Sequence, residues 1–230
     1  LSRHTHNNQR QWIETQFIMQ HRLKVAGLVL AGGQGRRMHY ADKAFMDVDN
    51  KPCIDWVITR LQKQCSGIAS SANGDAQRFK AWDYPVLADT HDNVGPLAGL
   101  LSGLEWAETA GFDLLVSVPV DTPFIPDNLV TALLPAPSFA TYAQQQHSLV
   151  ALWPVVQARA LLASQLASIT EQNRRQNTRV CTLANALNAQ PIDFSHVYAL
   201  EPFVNINTPE DLQAVRLQRH SQAQGHCHGT

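Results

Sequence analysis

The chain has 230 residues, 44% of them hydrophobic, and a formal net charge of −1. No apolar run reaches the length of a membrane span, and a balanced charge gives no global field toward nucleic acid or an anionic membrane, so any anion site has to be local. The four cysteines, Cys53, Cys65, Cys181 and Cys227, are scattered without a CxxC pair, which argues against a zinc ribbon or a thioredoxin-like motif and for a reduced, cytoplasmic protein.

Residues 1–22 are rich in Gln, Asn, His and Arg and lack a signal-peptide apolar core. They read as a disordered or non-native extension with Met19 as the candidate start; the other reading is an amphipathic arm using Trp12, Ile13, Phe17 and Ile18. A single domain is expected over residues 23–218. Val25–Leu30 reads as a buried strand running into a glycine-rich turn. Pro52–Cys65 reads as a helix, with Pro52 in its first turn and Ile54, Val57, Ile58 and Leu61 on one face. Ile68–Ala72 is a strand ending in the turn Asn73-Gly74-Asp75, and Pro85–Leu87 a short strand. Leu97–Ala110 is a helix closed by Gly111, Leu114–Val118 a buried strand closed by Pro119, and Asn128–Leu134 a helix. This alternation predicts a mostly parallel sheet covered on both faces.

The second half is less regular. Phe139–Gln144 and Leu149–Trp153 read as paired strands around a polar loop, Gln145-Gln146-His147. Val155–Leu166 and Arg179–Leu187 read as helices, and Pro209–Leu217 as a final helix capped by Thr208, with Asp211 in its first turn. The tail 219–230 is polar and reads as disordered; its His220, His226, Cys227 and His228 lack the supporting shell of a specific metal site.

The sharpest chemical signal follows the first strand: Leu30-Ala31-Gly32-Gly33-Gln34-Gly35-Arg36-Arg37-Met38, then Asp42-Lys43. Gly32, Gly33 and Gly35 let backbone N–H groups close on an anion, and Arg36, Arg37 and Lys43 can neutralise a polyphosphate. The loop lacks the Gly-Lys-Ser/Thr end of a P-loop and the third glycine of a dinucleotide fingerprint. Ligands of open α/β sheets bind at the carboxyl ends of the strands, where three further features gather. Ser71 and Asn73 follow the second strand; Asn73 suits a sugar hydroxyl or a plain turn. Asp89, with Gly95-Pro96-Leu97-Ala98-Gly99 behind it, suits a base edge, the metal site, or an ordinary loop. Asp121, in Pro119-Val120-Asp121-Thr122-Pro123, suits a Mg²⁺ ion bridging to nucleotide phosphates. Asn205 and Asn207 alternate along an expected strand and so share a face. Arg174, Arg175 and Arg179 read as a solvated face or as an anion contact for a second substrate.

On these residues the chain resembles the molybdenum cofactor guanylyltransferases, within the wider nucleotidyltransferase group. The glycine-rich loop with Asp42-Lys43 is similar to the family's nucleotide signature, and Gly95-Pro96-Leu97-Ala98-Gly99 to its second block. Pro119-x-Asp121-Thr122-Pro123-Phe124-Ile125-Pro126 is similar to its metal block, and Phe203-Val204-Asn205-Ile206-Asn207-Thr208-Pro209-Glu210-Asp211-Leu212 to its C-terminal block. The resemblance implies a Rossmann-like three-layer α/β sandwich and transfer of GMP from GTP to molybdopterin with release of pyrophosphate. It implies that Leu30, Ala31, Gly32, Lys43, Asp89 and Asp121 contact GTP, with Asp121 on Mg²⁺ and Asn205 and Asn207 on the molybdopterin side. Arg36, Arg37, Lys43 and Asp121 are the expected catalytic residues. Proteins that insert molybdenum and apo-molybdoenzymes are the expected protein partners. Val120 stands where a cysteine is common, and Ser71 where an asparagine helps hold the nucleotide. The alternatives are a cytidylyltransferase for the same pterin and a nucleotide-binding cofactor carrier without turnover.

Overall fold

The structure, a computed structural model, describes residues 23–32, 43–91, 94–208 and 210–217. The expected extension 1–22 and the whole of the tail 219–230 lie outside these residues, as do Gly33, Gly35, Arg36 and Arg37.

Strand β1 (Val25–Leu30) is an interior strand, third in the order of a seven-stranded sheet. It pairs in parallel with β4 (Gly67–Ser71) on one side and β6 (Leu114–Pro119) on the other. Strand β5 (Val86–Leu87) extends the β4 edge in parallel. Beyond β6 lies β8 (Gln145–Pro154), antiparallel to it, then β7 (Ser138–Tyr142) and β9 (Gln190–Asp193). A separate two-stranded ribbon pairs β2 (Asp47–Val48) with β3 (Lys51–Pro52).

Alternation along the strands divides the core into two layers. Val25 and Val29 face the layer that receives Ile54, Val57, Ile58 and Leu61 of α1 (Cys53–Leu61) and the short α3 (Leu129–Leu133). Ala26 and Leu28 face the opposite layer, built on α2 (Pro96–Thr109), α4 (Val155–Ala167) and α6 (Val180–Ala186), with the single turn α5 (Arg174–Asn177) between the last two. The result is the expected three-layer α/β sandwich with a mostly parallel sheet. Residues 210–217 form α7, the last helix among the described residues. The Thr208 hydroxyl accepts from the Asp211 N–H at 3.1 Å, while the Asp211 carboxylate accepts from the N–H groups of Asn207 and Thr208, both at 2.9 Å, a reciprocal cap.

Three local expectations are corrected. The helix expected to reach Cys65 ends at Leu61, and residues 62–64 are a turn. The hairpin turn is Ala143-Gln144, with φ of 45° and 71°, so Gln145, Gln146 and His147 belong to β8 rather than to a loop. Residues 203–208 form no strand, so the shared face argued for Asn205 and Asn207 does not arise from strand alternation. Strands β2, β3 and β9, each short, were not anticipated.

The sheet opens where its direction changes. β6 pairs with β1 through Pro119 but with β8 only as far as Ser117, opposite Ala151. Across the other edge of β8, Phe139 pairs with Ala151 and Ala140 with His147. There β8 advances four positions (147 to 151) while β7 advances one (139 to 140), leaving Ser148, Leu149 and Val150 in a bulge. The buried Ser117 hydroxyl donates to the Leu149 carbonyl at 2.7 Å and accepts from Trp153 Nε1 at 2.9 Å, so the bulge is hydrogen-bonded to the neighbouring strand. The splayed ends of β6 and β8 form a crevice at the carboxyl edge of the parallel strands, the place where open α/β sheets bind ligands. Among the described residues no helix is long and apolar enough to cross a membrane.

Candidate active site

A cavity of about 590 Å³ lies at that edge. Leu30, Ala31 and Gly32 enter it from the end of β1, held by Ala31 N–H to Ser71 C=O at 2.8 Å and Val120 N–H to Leu30 C=O at 3.1 Å. Ser71 and Asn73 enter from β4, Asp89 from beyond β5, Asp121 from beyond β6, and Lys43 from a short 3-10 turn, Lys43–Phe45. Positions from Leu30 to Asp121 thus converge because each follows a strand end or packs against one.

At one end of the cavity, Asp89 is held by three hydrogen bonds. It accepts from Ser71 Oγ at 3.2 Å and from Asn73 Nδ2 at 2.6 Å, and its own N–H donates to Asn73 Oδ1 at 3.2 Å. Arg78 Nη2 donates to the Asn73 carbonyl at 2.7 Å and fixes the turn. Asn73 is therefore the amide that meets Asp89, and Ser71 supports the same carboxylate with a hydroxyl. Helix α2 begins at this wall. Its N-cap Gly95 has φ 62°, which an L side chain rarely adopts, and Gly95, Pro96 and Gly99 line the cavity.

At the other end, Lys43 Nζ lies 2.8 Å from Asp121 Oδ2 and also donates to Asn207 Oδ1. The Asp121 carbonyl accepts from the Ile206 N–H at 2.8 Å, which docks the C-terminal segment onto the β6 loop. Beneath them, Cys53 is fully buried. Burial first, then the carboxylates of Asp121 and Asp47, push its thiol up to about 12, with Lys43 acting in the opposite direction. Among the described residues no trio of His, Cys, Asp or Glu is grouped to hold a metal unaided. Asp121 nevertheless fits a divalent cation: it is a hard oxygen donor on the cavity wall, with its negative charge set against Lys43.

A second cavity, about 380 Å³, adjoins the first across a wall of Pro96, Pro119, Leu149 and Asn205. It is lined further by Gln145, Gln146, His147, Arg179 and Cys181. Asn205 thus serves both cavities, whereas Asn207 turns to Lys43. Of the three arginines read as a possible anion contact, Arg179 lines this cavity, while Arg174 and Arg175 lie on the exposed turn α5 outside it. Sequence reasoning missed His147 and the residue paired with it, Glu201. No motif links positions 54 residues apart, although His147 falls in a polar stretch that stood out between two apolar runs.

A MobA-like NTP transferase domain matches residues 27–186. A molybdenum cofactor guanylyltransferase of Cereibacter sphaeroides is 41% identical over 194 residues, covering 83% of this chain and 94% of the relative. One from Acidiphilium cryptum is 39% identical over 193 residues, covering 84% and 94%. Among solved structures, molybdopterin-guanine dinucleotide biosynthesis protein A from Archaeoglobus fulgidus superposes with a TM-score of 0.61 at 22% identity, covering 82% of this chain and 95% of that one. A 4-diphosphocytidyl-2C-methyl-D-erythritol synthase gives 0.59 at 13% identity, covering 85% and 98%. The two structures share the fold; the matched domain and the sequence relatives go further, and the chain belongs to the molybdenum cofactor guanylyltransferase family.

Proposed function

We propose that this chain transfers GMP from GTP to molybdopterin, releasing pyrophosphate. The observation that carries this reading is the pair of cavities sharing one wall, each with its own polar lining, since a transfer between two bound substrates needs two sites that meet. The guanylyltransferase relatives favour GTP and molybdopterin as the occupants.

In this scheme the nucleotide lies in the larger cavity, with the Asn73–Asp89 pair at its base or ribose end and Leu30, Ala31, Gly32 and Lys43 along its phosphates. A terminal phosphate oxygen of molybdopterin, entering from the second cavity, attacks the α-phosphorus in line. The new P–O bond forms as the bond to the β-phosphate bridging oxygen breaks, and pyrophosphate leaves with the electron pair. The nucleophile is already ionised, so no general base is required, and positioning and charge neutralisation carry the reaction. Lys43 and the expected loop cations Arg36 and Arg37 offset charge on the triphosphate, and Arg179 attracts the anionic acceptor. A Mg²⁺ ion held by Asp121 would supply Lewis-acid stabilisation at the phosphates. The absence of a membrane-length helix among the described residues and the scattered free thiols support a cytoplasmic site of action. Proteins that insert molybdenum and apo-enzymes that receive the product follow as partners.

The test is pyrophosphate release from Mg²⁺ and GTP with and without molybdopterin, with CTP and ATP as controls. Release that requires both GTP and the pterin is expected. Release with CTP alone among the nucleotides would move the protein to cytidylyl transfer, and no release with any nucleotide would favour a cofactor carrier.

A further inference from the structure

The acceptor side of the site contains a pair of groups that the scheme above does not use. His147 occupies the last paired position before the β8 bulge, opposite Ala140. Its side chain is 7% exposed, and its buried Nε2 stands 2.8 Å from Glu201 Oε1, without the alignment of a fully formed hydrogen bond. The ring also packs on Phe203, centroids 5.2 Å apart, and Phe203 is itself buried edge-on against Phe194 at 4.9 Å. The imidazole is thus held by a bulge on one side and by the C-terminal segment on the other. Bulges recur beside binding sites because they re-aim side chains. His147 is one of the residues that line the second cavity, and its side chain is paired with Glu201 through Nε2 rather than Nδ1.

Resting on the reading of that cavity as the acceptor site, we propose that His147, backed by Glu201, recognises the heterocyclic end of the acceptor, accepting at Nδ1 a hydrogen bond from a ring N–H. Burial holds the imidazole below its ordinary pKa and outweighs the opposing pull of Glu201. Glu201, from the segment after β9, is the charged group beside the ring, while Arg179 and Cys181 line the same cavity. A neutral ring carries one N–H, and Glu201 is the acceptor beside Nε2, so the proton sits there and Nδ1 presents a lone pair. A lone pair recognises the N–H edge of a pterin and does not bind phosphate. It therefore divides labour with Arg179, whose guanidinium takes the anionic end.

The experiment compares wild type, His147→Ala and His147→Asn, whose amide oxygen can stand in for Nδ1. It reads acceptor KM, kcat and GTP affinity. His147→Ala is expected to raise acceptor KM about tenfold, the loss of one buried hydrogen bond, with kcat at saturating acceptor and GTP affinity within about twofold of wild type. His147→Asn is expected to recover most of the loss. In wild type, acceptor KM should climb as pH falls and Nδ1 gains a proton, a limb that His147→Asn lacks. An unchanged acceptor KM in His147→Ala, or equal defects in both variants, would overturn the assignment. Should His147→Ala fail to bind GTP, and so fail to fold, the asparagine variant and the pH limb decide. Should wild type release no pyrophosphate, the proposed reaction falls, and fluorescence titration of a free pterin against the same variants still decides the residue.

Discussion

Substituting alanine for Gly99 should destabilise the protein, against the usual sign for glycine in a helix. In the interior of α2 the change to alanine would ordinarily stabilise by about 1 kcal/mol through backbone entropy. Here a Cβ at position 99 would lie 2.1 Å from Ser71 Oγ, 2.9 Å from Ser71 Cβ and 3.3 Å from Asp89 Oδ1. Rotating the hydroxyl would relieve the first contact and break its bond to Asp89, but the Cβ contact is fixed to strand β4 and can be relieved only by moving helix or strand. Overpacking of this kind costs roughly 1–3 kcal/mol, and the larger end applies where backbone has to shift, so the net loss is about 1–2 kcal/mol. For a domain of this size that corresponds to a fall in Tm of about 3–6 °C. Because the strained atoms include the Asp89 carboxylate, GTP protection in a thermal melt should fall as well. Ser71→Gly removes both close contacts, so the double variant should recover part of the stability in a mutant cycle. A Gly99→Ala protein as stable as wild type, with undiminished GTP protection, would refute the packing argument.

Asp121→Ala should lose at least about a hundredfold in kcat while its Tm changes much less, because the part-buried Lys43 keeps its bond to Asn207 when the carboxylate is removed; comparable losses in both would defeat the proposed metal role. Ser117→Ala should lower stability by about 2–4 kcal/mol in urea unfolding, since it leaves the Leu149 carbonyl and Trp153 Nε1 without their partner in the core. It should raise acceptor KM too, by loosening the bulge. Cys53 and Cys65 have thiols pushed up to about 12, each chiefly by burial. At pH 8 both remain protonated, so neither should be alkylated in the native protein, and peptide mapping should find both modified only after unfolding.

Much of the first half of the fold is legible in the sequence because each element there is a continuous apolar run closed by glycine, proline or asparagine. Val25–Leu30 and Leu114–Pro119 are buried on both faces and read as strands without alternation. The hairpin of β7 and β8 was misplaced for a specific reason. Its turn residues, Ala143 and Gln144, adopt positive φ without being Gly, Asn or Asp, so the polar run after them drew the turn to itself. Asp89 and Asp121 could be singled out because each follows a strand end, and topology alone brings such positions to one edge; Lys43 stood out as a cation close behind the glycine-rich loop. The His147–Glu201 pair could not, since it depends on a bulge and on a return of the chain that no local pattern encodes. Asn205 and Asn207 reach the site through the Ile206 hydrogen bond to Asp121 rather than through a strand.

That return of the chain has a consequence for when the protein can work. Every strand described above lies at or before Asp193. Between Glu201 and Asn207, however, the segment supports His147, packs Phe203 behind it, places Asn205 on the shared wall, and hands an acceptor to Lys43. A nascent chain can therefore complete its sheet before it has a finished site. The nucleotide side of the cavity is drawn from residues before β9, so it is the acceptor side that waits for this segment. A protease cut between β9 and α7 should likewise silence the enzyme while leaving the sheet standing.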